Sequence, residues 1–216
     1  MDNHDSKNFK LLDSILSEND IVVDVGANKG EYTDFFYTKL KTTGKIYSIE
    51  LDKTTAIYLE NKYINQKNIV VINKAISDIN GEIDYYLGRE STLNNILGHD
   101  TSLRPCTIGG KIESVRLDKM LKEENQIKLI KIDVEGAELK VLDGLDQIID
   151  KVEYLLIECH LQKDWEKITK KLLYDYNMTC FNCSCDVDGY EKINYESKLA
   201  YQCFCSKNGK IENILK

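Results

Sequence analysis

The first 75 residues alternate strand, helix, strand, helix, strand, and that order leaves the chain few ways to fold. Ile21–Val25 is a short apolar run broken by one acid, the pattern of a strand buried on both faces. Helical spacing follows from about Glu31 to Lys41 and stops at Thr43-Gly44. Lys45–Glu50 is a second strand ending on an acid, Thr54–Ile64 is helical, and Asn68–Ile72 is a third strand. Parallel strands need crossover helices, so the pattern predicts an α/β fold with a doubly wound, mostly parallel sheet. Ile127–Asp133 and Glu153–His160 supply a fourth and a fifth strand, with helices over Ala137–Ile149 and Trp165–Tyr176. Ahead of the first strand, Phe9 to Leu16 also has helical spacing. Met178–Cys185 and Leu199–Ser206, with a turn near Asp188-Gly189, predict a C-terminal antiparallel hairpin. Glu82–Leu87 alternates after Asn80-Gly81 and reads as an antiparallel addition; residues 88–110 have no period and read as a lid or binding loop.

Composition removes several function classes. With 42% hydrophobic and 30% charged residues in 216, the chain is folded, and its length suits one domain over 1–216. No run of 18 apolar residues is present, so no membrane span is expected. The start is polar and acidic where a signal peptide would be basic and then apolar, which predicts a cytoplasmic protein. A net charge of -7, with Arg89, Arg104 and Arg116 as the arginines, disfavours a nucleic-acid partner. Seven cysteines in such a chain predict free thiols. Cys180, Cys183, Cys185, Cys203 and Cys205 lack the spacing of common zinc sites and read as small hydrophobes, with zinc or a redox pair as the alternative.

The chemistry starts at Asp24-Val25-Gly26-Ala27-Asn28-Lys29-Gly30, where a strand turns tightly into a helix and glycines let a ligand approach the backbone. The dinucleotide pattern G-x-G-x-x-G is not met, which argues against a nicotinamide oxidoreductase. Asp24 would repel a pyrophosphate but could hold a ligand's ammonium, and Glu50 could grip both ribose hydroxyls. After the third strand, Ala75 with Ser77 or Asp78 would suit an adenine edge; a plain turn or cap would look the same.

The glycine turn followed by Ile46-Tyr47-Ser48-Ile49-Glu50 resembles class I S-adenosylmethionine-dependent methyltransferases. The stretch from Leu129 to Glu138, ending Val141-Leu142-Asp143-Gly144, with Val115–Leu121 upstream, resembles the FkbM family of methyltransferases. The resemblance covers about residues 20–160. It implies a Rossmann-like fold, S-adenosylmethionine as cofactor, and O-methylation of a sugar, glycan or other natural-product hydroxyl. Asp24, Gly26, Asn28, Gly30, Glu50 and Ala75 are then the expected cofactor residues.

An alkyl hydroxyl is a poor nucleophile near neutral pH, so a base or a metal would help. Asp133, Glu135, Glu158 and His160 lie at the carboxyl ends of the fourth and fifth strands, where open α/β sheets bind ligands, and are the catalytic candidates. Asp133 or Glu135 could instead cap the following helix. Glu158 and His160 share a strand face by period two, with His160 the candidate base. The set could hold a divalent ion or share a proton; no metal is assigned. Lys131 would offset the carboxylates or reach solvent, and Glu138 reads as a helix-surface residue. In the loop, Arg89, Ser91, Thr92, Asn94, Asn95, His99 and Asp100 could read sugar hydroxyls, with His99 a second catalytic candidate. Tyr85 or Tyr86 could stack on a ring, while Trp165 would line the acceptor pocket or anchor its helix. N-methylation of an amino sugar or amino acid, and a non-catalytic binding protein of the same fold, are the alternatives. The oligomeric state has no signature.

Overall fold

The computed structural model describes residues 3–89, 91–99, 106–184, 189–194, 196–197, 200–207 and 209–213. In chain order these form α1 (Asn3–Ile15), β1 (Ile21–Val25), α2 (Glu31–Leu40), β2 (Lys45–Glu50), α3 (Lys53–Lys62) and β3 (Ile69–Asn73). Next come β4 (Ala75–Ile76), β5 (Gly81–Leu87), β6 (Thr107–Val115), α4 (Leu117–Met120), β7 (Ile127–Ile132) and α5 (Glu138–Asp143). The remainder is β8 (Val152–Glu158), α6 (Trp165–Lys170), β9 (Met178–Asn182), β10 (Glu191–Lys192) and β11 (Gln202–Lys207).

Eight strands make one sheet in the order β10-β9-β11-β8-β7-β1-β2-β3. β1 pairs in parallel with β2 on one side and β7 on the other, and the sheet runs on in parallel from β2 to β3 and from β7 to β8. The strand order therefore reverses direction at β1, which opens a crevice beyond the carboxyl ends of β1 and β7. β11 runs antiparallel to both β8 and β9, so the expected hairpin pairing is present with its second strand inserted inside the sheet.

The core has two faces because alternate strand residues point opposite ways. Val22, Ile46 and Leu129 pack with Leu11, Leu12, Phe36, Leu40 and Leu59 from α1, α2 and α3. Val23, Ile49, Ile130 and Leu155 pack with Leu117, Val141, Leu142 and Ile168 from α4, α5 and α6. Trp165 belongs to this second cluster, so it anchors its helix. The helix that starts at Trp165 widens into a π-helical turn over Lys171–Asp175.

Three expectations are corrected here. Glu82–Leu87 does not add to the main sheet: β5 pairs antiparallel with β6 in a separate sheet of order β4-β6-β5. The irregular segment expected over 88–110 ends before Thr107, because Thr107–Gly110 is strand; the two glycines there had broken the alternation that marks a strand. Tyr85 packs over Gly109, whose missing Cβ leaves room for its ring, and Tyr86 packs at Gly98. The expectation of free thiols fails at one pair, since Cys180 and Cys205 are disulfide-bonded across β9 and β11, where the register puts them opposite one another. Cys159, Cys183 and Cys203 are buried free thiols. Cys185, Asp188 and Leu199 of the predicted hairpin, and Asp100 of the loop, lie outside the described residues. No helix among the described residues is long and apolar enough to cross a membrane.

Candidate active site

The crevice at the reversal of strand order is a cleft of about 810 Å³, counting the space that opens to solvent. Four parallel strands contribute their carboxyl ends to it: Val25 and Gly26 at β1, Ile49 to Leu51 at β2, Lys74 to Ile76 after β3, and Asp133 to Glu135 after β7. Thr92, Asn94 and Ile96 close it from the β5–β6 connection. That connection is held in shape by its asparagines. Asn95 exchanges backbone hydrogen bonds with Tyr86, its Oδ1 accepts from the Leu97 and Gly98 amides, and Asn94 Oδ1 accepts from the Gly88 amide.

The glycine turn is shaped by two separate constraints. Gly26 has φ 79°, and a Cβ there would lie 1.7 Å from the Asp133 carbonyl oxygen, so β1 and β7 approach too closely for any side chain. Gly30 has φ 84° as it opens α2, and a Cβ there would strike the Tyr63 hydroxyl. Asn28, between them, also takes a left-handed φ of 45°, a region asparagine tolerates better than most residues. Its Oδ1 is buried without a hydrogen-bond partner at the cleft wall.

Glu50 is 6% exposed and already fixed in place. Oε2 accepts from the Asn28 amide and Oε1 from the Asp52 amide, both at 2.8 Å. Burial pushes its pKa up against the pull of those two donors. Each oxygen keeps a second lone pair, so the carboxylate can still accept a pair of hydroxyls.

Of the expected cofactor residues, Gly26, Asn28, Glu50 and Ala75 line the cleft; Gly30 shapes the turn behind it. Asp24 requires correction. It is 0% exposed, its Oδ2 accepts from Thr33 Oγ1 at 2.7 Å, and Lys131 Nζ lies 3.5 Å from its Oδ1. A ligand ammonium has no path to it, because Asp24 shares the strand face of Val22 and points under α2. Ser77 and Asp78 do not line the cleft either; Ser77 Oγ donates to Asp78 Oδ1, and Asp78 pairs with Lys140. Among the loop candidates Thr92 and Asn94 reach the cleft wall, and His99 does not.

The four catalytic candidates meet at the far wall. His160 Nε2 lies 3.4 Å from Glu158 Oε1 and 3.7 Å from both Asp133 Oδ1 and Glu135 Oε2. Asp133 and Glu135 face the cleft, while the His160 side chain is 5% exposed behind them. His160 Nδ1 bonds Glu138 Oε1 at 2.8 Å. Glu138 is therefore not a surface residue: it is 1% exposed, and the same oxygen accepts from the Gly136 amide. The tight turn at Glu135 (φ 54°) and Gly136 (φ 105°) is what swings the start of α5 over the imidazole. Burial opposes a charge on His160, but its bonds to Glu138 and Glu158 outweigh that and raise its pKa to about 11. That upward push favours the charged imidazole, with carboxylates at both nitrogens, and weighs against the expected role of His160 as base.

The surrounding groups follow from that charge. Burial raises Glu135 to about 7, with the neighbouring imidazolium acting the other way. Burial also works against ionising Glu158, yet hydrogen bonds from His160, Tyr201 and Gln202 hold it below the usual carboxylate range. Gln202 in turn accepts from Asn8 of α1 at 2.9 Å. Lys131 does offset the carboxylates: it donates to Asp133 Oδ2 at 3.2 Å and to the Gly26 carbonyl at 3.1 Å, tying β7 to the glycine turn. Sequence reasoning did not anticipate Glu138 as the partner of His160. A six-residue helix with an acid at each end carries no mark of which one is buried, and only the period linking Glu138 to the core residues Val141 and Leu142 hints at it.

The chain matches the model of the FkbM methyltransferase domain over residues 24–180. Hexuronic acid methyltransferase AglP of Haloferax volcanii is 25% identical over 167 residues, covering 76% of this chain and 66% of that protein, so the chain spans just under two thirds of its relative's length. Among solved structures, methyltransferase FkbM from Methylobacillus flagellatus KT shares the fold with a TM-score of 0.56 at 19% identity, over 88% of this chain and 44% of that one. SMU.1697c from Streptococcus mutans, solved in complex with SAH, does so with a TM-score of 0.52 at 13% identity, over 95% and 98% of the two chains. The matched span takes in the glycine turn, Glu50, the turn at Glu135 and the whole carboxylate–histidine cluster. The chain belongs to the FkbM family of methyltransferases.

Proposed function

We propose that this chain moves a methyl group from S-adenosylmethionine to an oxygen of a sugar-type acceptor. The observation that carries the reading is that one cleft is lined by both Glu50 and Glu135, the latter backed by His160. When bound, S-adenosylmethionine supplies a methyl carbon made electrophilic by its sulfonium. Glu50 fits a ribose diol, since both its oxygens are oriented by amides and keep free lone pairs. Asn28, with its unpartnered buried oxygen, fits a hydroxyl or ammonium donor on the ligand. Leu51, Ala75 and Ile76 give an apolar slot for a flat base. In the same cleft, Glu135 accepts the proton of the attacking hydroxyl, and His160 fixes the carboxylates around it. The sugar acceptor is supported by AglP, whose name specifies a hexuronic acid.

Methyl-labelled S-adenosylmethionine with a panel of neutral sugars, hexuronates and amino sugars tests this. Label should appear on oxygen of a sugar, and Glu135→Gln should cut kcat by about 10²–10⁴ while leaving S-adenosylhomocysteine affinity within a factor of about two. Label on nitrogen alone, or an unchanged kcat in Glu135→Gln, contradicts the assignment.

A further inference from the structure

Asp133, Glu158 and His160 place one oxygen or nitrogen each within 4.8 Å of one another, at the wall where Asp133 meets the cleft. Two observations set this cluster apart from an ordinary group of acids. The first is the balance of charge. Five carboxylates, those of Asp24, Asp133, Glu135, Glu138 and Glu158, face two cations among the described residues, Lys131 and His160, at ion-pair distances. Lys131 is shared with Asp24, whose Oδ1 is fully buried, lacks any hydrogen bond and points toward that ammonium. Buried carboxylates left in excess cost free energy, which either protonation or a further cation relieves. The second is orientation. Glu138 holds Nδ1 of His160, so that Nε2 is aimed at the Asp133 and Glu158 oxygens, the arrangement in which a carboxylate orients a metal-binding histidine.

We infer that Asp133, Glu158 and His160 Nε2 bind a divalent cation of mixed nitrogen and oxygen preference, such as Mn2+, which holds the acceptor oxygen beside Glu135. This rests on the methyl-transfer reading above for its role, though not for its existence. The cation takes the place of the Nε2 proton and keeps its charge throughout. The acceptor hydroxyl gives its proton to Glu135, its oxygen forms the new bond to the methyl carbon, and the electron pair of the broken bond returns to sulfur. Two carboxylates and one imidazole suit such an ion, and open positions on it would face the cleft.

The test is Mn2+ titration of the metal-free protein, followed by electron paramagnetic resonance with detection of nitrogen coupling. One Mn2+ per chain, coupled to one imidazole nitrogen and bound at least tenfold more weakly by a Glu158→Gln variant that still unfolds cooperatively, is the expected result. No binding, bound Mn2+ without nitrogen coupling, or equal affinity in Glu158→Gln overturns the proposal. If Glu158→Gln fails to fold, the nitrogen coupling in the wild type, lost in His160→Gln, decides alone. S-adenosylhomocysteine binding, measured on the same wild-type sample, separates the two readings. Mn2+ without it leaves the cation site and removes the methyl donor; the reverse removes the cation site alone.

Discussion

Gly26 shows how tightly single residues are constrained where β1 meets β7. Its backbone accepts the Lys131 ammonium, its amide donates to the Ile49 carbonyl, and its missing Cβ leaves room for the Asp133 carbonyl. Gly26→Ala adds a methyl at a left-handed φ and into a backbone oxygen, neither of which can give way cheaply. We expect at least about 2 kcal/mol of lost stability in urea unfolding; an unchanged midpoint would mean that the two strand ends can separate freely. Gly26, Asn28, Glu50 and the Asp133–Glu135 turn could be located from sequence because each follows directly from where a strand ends. Asp24 and Glu138 could not. Their roles depend on partners far along the chain: Lys131 for Asp24, and His160 for Glu138. Residue type and local period carry no information about such partners.

At the scale of elements, the β-strands were readable because buried parallel strands are continuous apolar runs, and Lys45–Glu50 matches its predicted bounds. β6 was not readable, since Gly109 and Gly110 break its alternation and its purpose is to pair with β5 away from the main sheet. That second sheet matters to the site, because the β5–β6 connection carries Thr92, Asn94 and Ile96 to the cleft. α3 also serves the site indirectly. Its N-cap Asp52 accepts from the Thr55 amide through Oδ1 at 2.8 Å, while its own amide holds Glu50 Oε1. Asp52→Ala should cost about 1 kcal/mol of stability through the lost cap, yet spare cofactor affinity, since the bond to Glu50 comes from the backbone. Thermal unfolding and calorimetry on the same variant check both halves; a large loss of affinity would show that the cap, not the amide alone, positions Glu50.

Over the whole molecule, the fold puts one opening at the reversal of strand order and lines it from both halves of the sheet. β1 and β2 bring the glycine turn and Glu50, while β7 brings Asp133 and Glu135, with Glu158 and His160 from the end of β8 packed behind them. Two chemically distinct sets of groups on a single cleft are what a two-substrate transfer requires, because the reacting atoms must be held together and in line. The most direct measurement is calorimetric titration of the protein and of Glu50→Ala with S-adenosylhomocysteine, with NAD as control. We predict micromolar binding, at least tenfold weaker in Glu50→Ala (about 1.4 kcal/mol), and no heat with NAD. No heat with S-adenosylhomocysteine, or equal affinity in Glu50→Ala, would contradict the placement of the methyl donor in this cleft.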